Sequence, residues 1–87
     1  MGTQVKRGRG LLHDTGPAQG IYEVDYAAYI SVRTIHYNNR PAVTSTKVFI
    51  EISPLNMTAL RNGTYKLEEN GQILYTLEKK DINWHIL

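Results

Sequence analysis

Three imidazoles, His13, His36 and His85, are the side chains best suited to acid–base or metal chemistry, and their placement argues against both. None stands two, three or four positions from another histidine, and the chain has no cysteine, so no metal or cofactor is expected. His13-Asp14 has the composition of an acid–base pair, but neighbours on a strand point to opposite faces. Ser31, Ser45 and Ser53 read as strand or cap residues, with no nucleophile elbow around them. Gly8-Arg9-Gly10 has neither the preceding apolar strand nor the following helix that a phosphate-binding glycine loop needs. Glu68 and Glu69 fall at a turn and read as solvated. No catalytic residue is assigned, and the expectation is a protein that is not an enzyme.

The six tyrosines are the more informative excess. Tyr22, Tyr26, Tyr65 and Tyr75 fall on apolar faces and read as core, with hydroxyls that reach a rim for partners. Tyr29 and Tyr37 fall on the opposite face of their strand together with Arg33 and Ile35. A sheet surface of aromatic and arginine side chains is how a base-stacking platform is built, and it is equally how a sheet covers a second face with another protein. Lys6, Arg7 and Arg9 are the cations that a nucleic-acid reading would add. They carry the basic excess of a chain whose net charge is only +2. The rest of the sequence is close to neutral, which places protein contact ahead of single-stranded nucleic acid.

The element that must position this face is the run from Gly20 to Tyr37. Tyr22, Val24, Tyr26, Ala28, Ile30, Val32, Thr34 and His36 alternate with Glu23, Asp25, Ser31 and Arg33, which is the period of a half-buried strand. Such a strand is far longer than the usual five or six residues or so, and it is expected to bend near Ala27 and Ala28. Before it, a first strand is expected around Arg9–His13, kinked by its glycines, then a loop over residues 14–20 in which Asp14 folds back on its own backbone. After it, Asn38-Asn39-Arg40-Pro41 makes a turn into a third strand, Val43–Ser53, which is polar first and apolar later.

Residues 53–63 carry the signals of a short helix over about 54–61: Ser53 as N-cap, Pro54 at the first helical position and Gly63 beyond the end. Thr64–Leu77 reads as a hairpin. A three-residue turn, Glu69-Asn70-Gly71, puts Tyr65, Leu67, Ile73, Tyr75 and Leu77 on one face, where a two-residue turn would split them. Ile82, Trp84 and Ile86 then mark a last strand.

The division expected is a flexible basic arm over residues 1–7 and a single β domain over residues 8–87. No apolar run approaches the ~18 residues of a membrane span, and the lack of cysteine suits a reducing, cytoplasmic setting, in a protein of bacterial or phage type. Asn56-Met57-Thr58 and Asn62-Gly63-Thr64 match the glycosylation tripeptide without a secretory segment before them, and read as chance. The order strand, strand, strand, short helix, strand, strand over Arg9–Leu77 resembles, in topology, that of oligonucleotide/oligosaccharide-binding barrels with one strand added. What the resemblance implies is a fold, not an activity.

The resulting expectation is an all-β, small antiparallel six-stranded barrel or half-barrel of that size, or of the size of an SH3-like domain. It would be a non-enzymatic binding or assembly module, homodimeric through a sheet face or an exposed strand edge. Single-stranded nucleic-acid binding is the alternative.

Overall fold

The computed structural model describes residues 2–17, 19–56 and 59–87. Six strands are present: β1 Gly2–Asp14, β2 Ile21–Ile35, β3 Val43–Pro54, β4 Gly63–Glu69, β5 Gln72–Lys80 and β6 Asn83–Ile86. Every pairing is antiparallel, and the order across the sheet is β3-β2-β1-β4-β5-β6. The sheet curls until β6 lies against β3 without a hydrogen-bonded ladder between them, so the wall nearly closes into a barrel. Among the described residues no helix is long and apolar enough to cross a membrane.

The core is confined to one end. Leu12, Val24, Tyr26, Ile50, Tyr65, Leu67 and Leu77 are buried together, and Trp84 and Ile86 pack against them from β6. Trp84 meets Tyr65 edge-on, with ring centroids 5.3 Å apart, a geometry that the ring quadrupoles favour. Gly10 is needed here: a Cβ on it would stand 2.6 Å from the Glu68 carbonyl oxygen, where β1 and β4 begin to pair.

β1, β2 and β3 outrun this core. Fifteen residues in β2 rise roughly 50 Å at ~3.3 Å each, and the molecule measures 53 × 23 × 22 Å. β1 pairs with β4 only over Leu11–Asp14, whereas its pairing with β2 continues to Gly2. Beyond the core, therefore, residues 2–8, 28–35 and 43–49 form a three-stranded ribbon one layer thick. As its polar-then-apolar gradient predicts, β3 is exposed along Val43–Phe49, apart from half-buried Ser45, and enters the core at Ile50.

Several expectations are corrected. The run set apart as a flexible arm, residues 1–7, belongs to β1 from Gly2 onward; its register with β2 is unbroken, because a backbone ladder needs no side-chain period. The helix over 54–61 does not form among the described residues; its Met57 and Thr58 lie outside them. Pro54 is the last residue of β3, paired with Val24, and the Leu55 N–H donates to the Glu23 carbonyl at 3.0 Å. That donor is committed to β2, and a two-turn helix has too little stability of its own to compete.

The β4–β5 turn is the two-residue Asn70-Gly71 form, with φ of 54° and 81° and Glu69 opposite Gln72. The register then shifts between Leu67 and Glu68, so that Tyr75 faces Leu67 and Leu77 faces Tyr65. A bulge thus restores the shared face that the longer turn was invoked to supply. Ile73 falls on the far side of it and is exposed. Ile82, read as part of the last strand, sits instead in the β5–β6 turn at 90 % exposure.

Replacing Leu67, fully buried at the centre of the core, by alanine is expected to cost about 2–5 kcal/mol. Gly71→Ala is expected to cost about 1–2 kcal/mol from its left-handed backbone alone, since no atom crowds the missing Cβ. Urea unfolding followed by Trp84 fluorescence measures both.

Candidate functional site

The register of β1, β2 and β3 fixes what the outer face of the ribbon presents. Val5 pairs with Tyr29 and Tyr29 with Phe49, which makes one apolar row across all three strands. One step toward the core lies the row Arg7, Ala27, Glu51; one step toward the tip lies Thr3, Ser31, Lys47. Beyond these stand Arg33 with Ser45 and, last, Ile35 with Val43. The Arg7 guanidinium carbon is 6.0 Å from the Tyr29 ring centroid, within cation–π reach. Ser31, Arg33, Ile35, Ser45 and Lys47 line a shallow groove of about 250 Å³. Arg33 and Lys47 make no ion pair among the described residues.

Of the residues singled out from the sequence, Tyr29, Arg33, Ile35 and Arg7 therefore share one surface. Arg9 lies on the same face but nearer the core, where its Nε donates to Asp25 Oδ1 at 3.1 Å in an exposed ion pair. Lys6 pairs with Ala28 and belongs to the opposite face. Tyr37 is exposed in the β2–β3 turn, its carbonyl accepting from the Arg40 N–H at 3.3 Å. Phe49, Lys47 and Val5 complete the surface and were not singled out. For Phe49 and Lys47 a signal existed, since both stand on the polar side of the alternation in β3; at 64 % exposure, Phe49 is the most prominent aromatic of the ribbon. Val5 offered none.

The histidines stay apart. His36 and His85 are exposed. His13 is hydrogen-bonded through Nε2 to Glu68 Oε1 at 2.9 Å, so Glu68 is held and not merely solvated. No hydroxyl, thiol or amine joins the hydrogen-bonded set of this pair among the described residues. No group of three His, Cys, Asp or Glu side chains is placed to hold a metal among those residues. Asp14, on the other face of β1 from His13, has a side chain only 4 % exposed. It accepts from the Gly16 N–H at 2.8 Å and from Arg61 Nη2 at 3.2 Å, and so ties the β1–β2 loop to the segment before β4.

Two tyrosine hydroxyls end in the wall of the barrel. Tyr65 donates to the Arg61 carbonyl at 2.6 Å. Burial, helped by the charge of Asp14 and the neighbouring Tyr22, pushes its hydroxyl above the ordinary tyrosine range, and Arg61 offsets part of the rise. Tyr26 donates to Glu69 Oε2 at 3.0 Å. Burial first, then this hydrogen bond and the charges of Glu69 and Tyr75, push Tyr26 up to about 12.

No protein-family model, no curated protein and no solved structure matches this chain.

Because the folded state holds the Tyr26 proton more tightly than the unfolded chain, this contribution to stability is full below pH 10 and is lost as pH rises toward 12. Alkaline denaturant titrations are expected to show that fall in the wild type and a smaller one in Tyr26→Phe.

Proposed function

We propose that this protein is a non-enzymatic binding and assembly module that associates with itself through the ribbon. The observation that carries the reading is the ribbon itself. It is a single layer with no second sheet or helix packed on it among the described residues, yet it leaves apolar side chains exposed on both faces, Val5, Val43 and Phe49 on the outer one and Val32 and Val48 on the other. A three-stranded sheet wants an apolar face covered for stability of its own, and large contiguous apolar surface marks an interaction site. Self-association through the ribbon answers this without a further component, by packing apolar side chains of two copies together or by pairing its free edge. The lack of cysteine is consistent with work in a reducing compartment such as the cytoplasm.

A second reading, single-stranded nucleic-acid binding, is favoured by one specific arrangement. Arg7 stands over Tyr29, Phe49 is the cross-strand partner of Tyr29, and Arg33 and Lys47 line the groove next to them. Bases would stack on the aromatic row and phosphates would meet the cations. The first reading ranks higher because Arg9 is spent on Asp25 and Lys6 faces away.

Sedimentation equilibrium separates the two. The wild type is expected to show a mass above 9.9 kDa, and Phe49→Ser is expected to weaken the association by roughly fivefold, the loss of one aromatic contact between copies. A chain that stays monomeric up to its solubility limit ends the first reading. If an amide NMR titration with a single-stranded oligonucleotide then shifts Tyr29, Phe49 and Lys47, with an effect that fades as salt is added and is lost in Arg33→Ala/Lys47→Ala, the second replaces it.

A further inference from the structure

We propose that two copies of this chain join edge to edge through the free half of β3, antiparallel, with Thr46 of one opposite Thr46 of the other. The inference rests on the self-association reading above and specifies its edge and register.

The direction of the backbone groups comes first. The Leu55 N–H donates to Glu23 of β2, and the β2–β3 register runs unshifted from Pro54 back to Val43. Odd-numbered residues of β3 therefore turn their N–H and C=O toward β2, and the even-numbered ones turn them outward. Pro54, with no N–H to offer, falls on the outward side, where it leaves no gap in the ladder to β2. Thr44, Thr46 and Val48 thus present an unpaired row of donors and acceptors.

Only half of this edge is open. A groove of about 590 Å³ separates Phe49–Ser53 from Ile82–His85, so β6 flanks the later residues of β3. A second β3 brings its own β2 beside it, and next to Ile50 and Ile52 that β2 would have to occupy the place of β6. Along Val43–Val48 nothing flanks the edge among the described residues. Of the usual protections it carries one charge, Lys47; Thr44, Thr46 and Val48 are β-branched, and no proline or bulge interrupts them.

The side chains then decide the register. With Thr46 on the two-fold axis, Thr44 pairs with Val48 of the second copy, and Val43 pairs with its Phe49. These last two are 51 % and 64 % exposed. On the outer face the row Val5, Tyr29, Phe49 runs on into Val43 and Ile35 of the second copy, and the same row is repeated by symmetry. Two apolar rows thus each cross five strands of a six-stranded sheet. The cost is Coulombic, since Arg33 and Lys47 of both copies gather between those rows. A register centred on Phe49 would instead set Lys47 against Glu51, with favourable charge, but it needs the part of β3 that β6 flanks.

Because the chain has no cysteine, Thr46→Cys places one thiol per copy. A hydrogen-bonded antiparallel pair has Cα atoms ~5.5 Å apart, within the range a disulfide spans. Mild oxidation is expected to cross-link Thr46→Cys and not Phe49→Cys. Thr46→Pro, which removes only an outward N–H, is expected to raise the dimer Kd by roughly tenfold or more, while the Tyr65–Trp84 near-ultraviolet dichroism shows that its core is intact. Association of the wild type is expected to tighten with added salt as the gathered cations are screened. A dimer that cross-links through Phe49→Cys, or that weakens with salt, overturns this register and leaves self-association standing. A wild type that stays monomeric overturns both.

Discussion

The backbone ladder along β2 is the constraint on which the rest depends. Each half of its length is paired on both sides, with β1 over Ile21–Val32 and with β3 over Val24–Ile35. The core, however, has room for only the first half of the strand, as far as Ala28. A chain of this size buries about two thirds of its unfolded surface at best, and spends its large apolar side chains on Leu12, Val24, Tyr26, Ile50, Tyr65, Leu67 and Leu77. Hydrogen bonding can extend a sheet beyond its hydrophobic support, and that is what the ribbon is. The two halves of the molecule therefore rest on different physics: the body on burial, the ribbon on its ladder and on whatever covers it.

Much of this was legible in the sequence because period two survives wherever one face is buried. The alternation from Tyr22 to Thr34 gave the long strand, the gradient in Val43–Ser53 gave the point at which β3 enters the core, and Ile73 apart the inward set of the hairpin was correct even though its turn was not. The errors share one cause. Helix caps at Ser53 and Pro54 and the missing period in residues 2–7 are local signals, and in both places a ladder to β2 outweighed them. A partner strand across the sheet leaves no mark in the sequence of the strand it pairs with.

The same limit governed the candidate surface. Tyr29, Arg33 and Ile35 were found because a single strand carries them. Their companions Val5, Lys47 and Phe49 come from β1 and β3, and only the register brings them to the same rows. Lys6 and Arg7 show the converse: adjacent cations grouped by composition are divided by the pleat, one to each face. Charge counted along a segment is thus a poor guide to charge on a surface once that segment is a strand.

The pairing of β1 with β4 has a consequence for how the chain reaches this structure. Leu11 lies opposite Glu68, so closing the wall joins residues far apart in the chain, and such closure is slow relative to hairpin formation. The hairpins β1–β2 and β2–β3 need only local turns. The ribbon can therefore zip up before β6 arrives beside β3, and until then the whole outer edge of Lys47-Val48-Phe49-Ile50-Glu51-Ile52 stands open. Such a segment, high in β propensity and low in net charge, is one that aggregates when it is exposed. The late arrival of four residues at the C-terminal end of the fold, Asn83–Ile86, is what shields the more apolar half of that edge, and folding yield at high concentration depends on how soon they come.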